Sequence, residues 1–375
     1  MKRHIALVTT SRSEYGIMNR LITQLYTDAD VRFSLLVSGM HLSERFGNTY
    51  KEINVPITHK IDIEIEKGPT HAIACAIEQF SNVFKKLRPD IVVLLGDRYE
   101  TMGIAIAAML TNIPIAHIHG GEITTGAIDE AIRHSITKMS HLHFTSCEAY
   151  RQRVIQLGEN PARVFNVGSL GVENIHLTPL LTKQELQESL HCKFTFPTFL
   201  ITFHPVTLEQ DSLSQFQELL AALEEVPNAT CLITYPNADE GNEPLFQAIT
   251  HFKKYHPQVY TYKSLGYIRY LSCLQFVNAV IGNSSSGIIE VPSFKIPTIN
   301  IGNRQQGRIQ ASSIVNCAPN KQAILNAIKQ SYSLDCSKTE NPYDKANTSS
   351  NIISILKNYD LTQILHKKFY NLPSK

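Results

Sequence analysis

The chain has 375 residues, 43% hydrophobic and 18% charged, with 35 Lys and Arg against 33 Asp and Glu. This is an ordinary globular balance with room for two domains, and a net charge of +2 gives no ground for nucleic acid or a membrane surface as partner. No apolar run approaches the ~18–20 residues of a spanning helix. The start, MKRHIALVTTSRSEYG, has two basic residues but only a short apolar part, which reads as a first strand rather than a secretory leader. The seven cysteines are scattered, odd in number and form no CxxC, so reduced thiols and a cytoplasmic protein are expected.

In chain order, residues 4–10 form a strand that stops at Ser11-Arg12-Ser13-Glu14-Tyr15-Gly16, and 17–26 carry apolar residues at helical spacing. Residues 33–37 form the next strand, ending in Ser38-Gly39-Met40-His41. A helix at 73–87 is stopped by Arg88-Pro89. Then comes VVLLGDRYETMGIAIAAMLTNIPIAHIHGGEITTGAIDEAIRHSITK, residues 92–138. Its apolar runs 92–95 and 113–118 end at Gly96-Asp97-Arg98 and His119-Gly120-Gly121-Glu122, and Asp129 and Glu130 open a helical segment. A strand at 142–145, a helix around 147–157 and a strand at 164–167 complete the first half.

Residues 168–196 read as a connection with one short helix at 183–190. The alternation then restarts: strands at 198–202, 230–234, 276–281 and 297–301, with helices at 212–224, 244–254 and 321–331. A polar linker, 335–350, precedes a last helix at 352–365. Strands alternating with helices at this pace predict an α/β protein of doubly wound parallel sheets. Because the alternation occurs twice, two Rossmann-like domains facing a central cleft are expected. The expected bounds are 1–170 and 171–350, with a C-terminal helical segment at 351–375 crossing back to the first.

Strand C-terminal ends open onto the ligand crevice of such sheets, which makes the residues at those ends candidates. Asp97, Glu122, Asp129 and Glu130 are the possible acids and bases, and Arg133 shares a helix face with Asp129. Each also has a bland reading as a cap or a surface pair. His204, before a proline at a strand end, is a candidate acid or phosphate donor. The turn Gly282-Asn283-Ser284-Ser285-Ser286-Gly287 offers hydroxyl and backbone donors suited to a diphosphate, and Glu290, one turn on, can accept from a ribose. Arg12, Arg304 and Arg308 follow strands and can neutralise phosphate oxygens. His41, His119 and Asn237 are further substrate-binding candidates. No GxGxxG, P-loop or GxSxG elbow follows a strand. HExxH is absent too, and the pairs His117/His119 and His141/His143 make no site by themselves, so neither a metal nor a cofactor is expected.

The pieces TSRSEYG, SGMH, LGDRYE, HIHGGE, DEAIRHSITKMS, VIQLGENPARVFNVGSLG, FHPVT, GNSSSGIIEVPS, INIGNRQQGR and ENPY occur in this order. With them the chain resembles the hydrolysing UDP-N-acetylglucosamine 2-epimerases, in the bacterial branch that makes N-acetylmannosamine for sialic acid. The resemblance implies a glycosyltransferase-B-like fold, a homodimer or homotetramer, and metal-independent chemistry. In that chemistry UDP and the C2 proton are lost to give a 2-acetamidoglucal, which water then converts to a 2-acetamido-mannose sugar. The family's catalytic positions fall on Asp97, Asp129, Arg133 and His204, and its uridine-diphosphate contacts on Arg12, Ser285, Ser286, Gly287 and Glu290. Many relatives carry a glutamate where this chain has His119: either Glu122, three residues on, takes that role, or His119 does and Glu122 holds the loop, and Glu122 is the assignment preferred here. Alternatives kept open are the same reaction on UDP-N,N'-diacetylbacillosamine, for legionaminic acid, a glycosyltransferase using a UDP-sugar, and a non-catalytic nucleotide-sugar sensor.

Overall fold

The computed structural model describes residues 2–124, 128–205, 211–236 and 243–373. The chain forms two compact units, one of Met1–Glu122, Ile128–Asn174 and Tyr343–Lys375, the other of Ile175–Pro342 with Ile123–Ala127.

The first unit begins with β1 (Arg3–Thr9), α1 (Arg12–Thr27), β2 (Val31–Ser38), β3 (His59–Ile61), α2 (Pro69–Leu87) and β4 (Ile91–Leu95). It continues through α3 (Tyr99–Leu110), β5 (Ile115–Ile118), α4 (Asp129–Met139), β6 (Leu142–Thr145), α5 (Glu148–Gln156) and β7 (Val164–Asn166). The strands pair in the order β3-β2-β1-β4-β5-β6-β7, all parallel. Parallel strands covered by helices on both faces must be apolar throughout, and β4, IVVLL, is buried at every position. Each fully buried Ile or Leu contributes about 2 kcal/mol of transfer free energy. On one face Ile5, Leu7, Val93 and Ala116 pack against Met18, Leu21 and Leu25; on the other Ala6, Val8 and Val92 pack against Phe80, Phe84, Ile104 and Ile136.

After α6 (Leu170–Leu177), the second unit runs through α7 (Lys183–Leu190), β8 (Thr198–Thr202), α8 (Ser212–Glu224), β9 (Thr230–Thr234) and α9 (Glu243–Tyr255). It proceeds with β10 (Val259–Tyr262), α10 (Gly266–Leu274), β11 (Ala279–Gly282), α11 (Ser286–Ile289), β12 (Thr298–Ile301), β13 (Ile314–Cys317) and α12 (Lys321–Ser333). Its sheet order, β10-β9-β8-β11-β12-β13, repeats the winding of the first. In both units the order reverses once, between β1 and β4 and between β8 and β11. These switch points are where ligands bind in open α/β sheets.

Several elements differ from the sequence reading. α1 starts at Arg12 rather than 17, because the Ser11 hydroxyl accepts from the Glu14 N–H as an N-cap. α6 lies in the stretch read as a connection. The short strands β3, β10 and β13, and helix α10, were not foreseen. The last helix, α13 (Thr348–Asn358), stops before 365: Tyr359 turns extended, and Asp360 accepts from the Thr362 N–H and hydroxyl. α13 buries Ile352, Ile353 and Leu356 against the first unit's core.

Candidate active site

In the first unit the loops after β1, β4 and β5 carry the predicted chemistry. Gly96 takes φ 76°, a left-handed conformation that glycine reaches without strain, and its N–H donates to the Ile118 carbonyl at 3.0 Å. That turn presents Asp97. Arg133, four residues into α4 from Asp129 and 3% exposed, reaches across 36 residues of chain to pair with the Asp97 carboxylate. The same guanidinium donates to the Glu122 carbonyl at 2.8 Å and to Glu130 at 3.5 Å. Glu130 also meets His134 Nε2 at 3.3 Å.

Glu122 is buried, and its Oε1 accepts from the Ser146 hydroxyl at 3.0 Å. His119 Nδ1 lies 3.6 Å from the same oxygen. His119 and Glu122, read from sequence as rivals for one role, therefore stand side by side. His119 holds φ 66°, rare for a residue with a Cβ, and Gly121 holds φ 81°; a Cβ at Gly121 would sit 2.5 Å from the Tyr150 carbonyl. The HIHGGE loop is thus fixed by backbone geometry that ordinary residues resist.

Asp129 and Glu130 open α4, where negative charge is favoured. Arg12 is at the start of α1, more than half exposed, in a 3.1 Å ion pair with Glu52. His41 is fully buried. Its two ring nitrogens meet the hydroxyls of Thr9 at 3.1 Å and Thr49 at 2.8 Å, and burial pushes the ring down to about 4. Its ring therefore braces the loop after β2.

In the second unit His204 follows β8. Asn283 clamps its backbone, accepting from the His204 N–H and donating to its carbonyl, both at 2.8 Å. Burial, with the Arg304 charge adding to it, pushes the His204 imidazole down to about 4. Arg304 and Gln305 both donate to the Asn283 carbonyl, at 3.0 and 2.8 Å. Gly282 takes φ 139°, and a Cβ there would run into the Thr202 carbonyl, so the turn after β11 needs glycine. Ser285 precedes the single turn of α11. The Ser286 hydroxyl meets Tyr270 Oη at 2.5 Å and also bonds Glu290, whose carboxyl is pushed up chiefly by burial. Ser284 Oγ is 3.4 Å from the Ser286 N–H, and the Gly287 carbonyl accepts from the Thr298 hydroxyl at 2.8 Å. Arg308 donates to the Thr124 hydroxyl at 3.5 Å. Asn237 lies outside the described residues.

Sequence reasoning missed several residues that hold these groups. Ser146 and His117 (Nε2 2.7 Å from the Gly96 carbonyl) brace Glu122 and the Asp97 turn, and Tyr270 anchors the serine turn. Glu14, buried, accepts from the Thr10 N–H and hydroxyl at 2.7 and 2.8 Å and is pushed up by burial. Only Asn283 carried a signal, standing inside GNSSSG. Among the described residues the one group of three metal-capable side chains, Glu64, His71 and Cys75, is remote from these loops in sequence, and its Glu64 is paired with Lys67 at 2.9 Å.

The family model for UDP-N-acetylglucosamine 2-epimerase matches residues 23–357. The chain is 40% identical over 382 residues to the GDP/UDP-N,N'-diacetylbacillosamine 2-epimerase (hydrolyzing) of Campylobacter jejuni, covering 99% of this chain and 100% of that one. It is likewise 40% identical over 388 residues to the polysialic acid biosynthesis protein P7 of Escherichia coli, covering 99% and 98%. The crystal structure of UDP-GlcNAc 2-epimerase from Neisseria meningitidis bound to UDP-GlcNAc superimposes with a TM-score of 0.81 at 18% identity, covering 94% of this chain and 99% of that one. This last likeness shows the glycosyltransferase-B-like fold. The match over most of the chain has one conclusion: the chain belongs to the UDP-N-acetylglucosamine 2-epimerase family.

Proposed function

We propose that the protein is a hydrolysing 2-epimerase that converts UDP-N-acetylglucosamine to N-acetylmannosamine and UDP. The observation that carries this reading is the gathering of Asp97, Glu122, His119 and Arg133 from two separate loops and a helix. An elimination at C1–C2 needs a base for the C2 proton and stabilisation of the leaving diphosphate. The C2 hydrogen is not acidic, so C1–O cleavage runs ahead with oxocarbenium character and negative charge grows on the departing UDP. The electron pair of the C2–H bond becomes the C1–C2 double bond of a 2-acetamidoglucal. Water then adds, its oxygen to C1 and a proton to C2 from the opposite face, which inverts C2.

In this reading Asp97, Glu122 and Asp129 move protons at the sugar, and Arg133 pairs with Asp97 and fixes where its carboxylate points. Ser284, Ser285, Ser286 and Gly287 hold the diphosphate with Arg12, Arg304 and Arg308, and Glu290 accepts from the ribose. His204, neutral at pH 7, serves as a hydrogen-bonding group for the leaving diphosphate rather than as a fixed cation. No metal or cofactor enters the scheme. The second reading, the same chemistry on UDP-N,N'-diacetylbacillosamine, is supported by the name of the Campylobacter relative, whose identity equals that of P7. Incubating the purified protein with each nucleotide sugar and measuring kcat/KM for UDP and free-sugar release tests both. The first reading expects UDP-N-acetylglucosamine to be preferred at least about tenfold, a difference of about 1.4 kcal/mol. Preference for the 4-acetamido sugar favours the second, and UDP binding without sugar release from either sinks both.

A further inference from the structure

We infer that His117 is the positioning residue for the Asp97–Arg133 pair; the catalytic half of this inference rests on the function proposed above. His117 lies on β5, fully buried. Its Nε2 is 2.7 Å from the Gly96 carbonyl, and its Nδ1 is 3.1 Å from the Thr137 hydroxyl. A carbonyl only accepts, so Nε2 carries the proton. Burial pushes the ring down to about 3, so at neutral pH Nδ1 has a lone pair and accepts from Thr137. Both contacts thus select one tautomer and one ring orientation.

The two partners are the points from which the pair is built. Gly96 immediately precedes Asp97 in the turn after β4. Thr137 is four residues beyond Arg133, one turn along the same face of α4. One imidazole therefore ties the loop that presents the carboxylate to the helix that presents the guanidinium. Gly120 closes the third side: a Cβ there would be 3.0 Å from the Thr137 hydroxyl and 3.1 Å from His117 Nδ1. The clamp is dry, neutral and fully hydrogen-bonded at both ring nitrogens, which suits holding a geometry and not exchanging protons with a ligand.

The test uses His117→Phe, which keeps a ring but removes both hydrogen bonds, and Thr137→Val, a milder change that removes one hydroxyl and covers the case in which His117→Phe does not fold. Each variant is examined by crystallography and by steady-state kinetics on the nucleotide sugar. The clamp predicts a displaced Asp97–Arg133 contact, with kcat down ~10–100-fold and KM within about threefold, and Thr137→Ser restoring wild-type values. An intact pair with unchanged kcat in both variants overturns the clamp. A displaced pair with unchanged kcat overturns the catalytic half of the inference, and with it the role of Asp97 and Arg133 in the proposed reaction. A parallel loss of kcat and a rise of KM with the pair intact overturns it in favour of general destabilisation.

Discussion

A guanidinium that is 3% exposed must be neutralised where it sits, and Arg133 meets Asp97, Glu130 and the Glu122 carbonyl at once. Its planar fork matters here, since a lysine supplies one point charge and cannot span the carboxylate and the carbonyl together. Asp97→Asn and Glu122→Gln, nearly isosteric changes, are each predicted to lower kcat by about 10²–10⁴-fold, the range of a general acid or base. UDP affinity, measured by calorimetry, stays within about threefold. Equal losses in kcat and UDP affinity would mean that these carboxylates only hold the loops. Glu159 is the structural counterpart. It is 1% exposed and faces His143 at 3.1 Å, Lys138 at 2.6 Å and Lys367 at 2.7 Å, and its carboxyl is held near 2 against the penalty of burial. Glu159→Gln leaves three cationic or imidazole partners uncompensated and is predicted to cost roughly 3 kcal/mol in urea unfolding, with kcat unchanged on the surviving folded protein.

At the scale of elements, the turn after β11 depends on a conformation that only glycine adopts easily. Gly282→Ala places a methyl against the Thr202 carbonyl. The predicted result is loss of UDP binding by at least ~10-fold, or a second unit that no longer folds, read by calorimetry and by the unfolding transition; wild-type binding and stability would contradict it. The apolar runs of β4 and β5 were legible because burial on both faces forces continuous hydrophobic sequence. The edge strands β3, β10 and β13 were not, although β7 was: β3 is HKI with two of three residues exposed, and β13 is IVNC with one buried. Edge strands bury little, so their residues carry little pattern. The same limit holds in the site. Asp97 and Glu122 stood out as acids beside glycines at strand ends. The pairing of Asp97 with Arg133, the bracing of Glu122 by Ser146 and the role of His117 depend on which strands become neighbours, and no local spacing records that.

For the molecule as a whole, the response to acid is shaped by histidines held neutral, among them the buried His41, His117 and His141 and the half-buried His204. His41, His141 and His204 are pushed down to about 4 and His117 to about 3, each chiefly by burial. Each binds its proton more weakly in the folded chain than in the unfolded one. Their stabilising contribution is therefore complete above about pH 6.5 and is lost as pH falls through the folded values, each at up to about 1.4 kcal/mol per pH unit. Unfolding midpoints are predicted to drop steeply between pH 6.5 and 4.5, and a flat profile there would contradict neutral burial. Elimination followed by hydration leaves an isotopic mark, read by proton NMR of the purified protein with UDP-N-acetylglucosamine in D2O. The expected result is released UDP and an N-acetylmannosamine product carrying deuterium at C2; a product that keeps its C2 proton would rule out proton loss at that carbon.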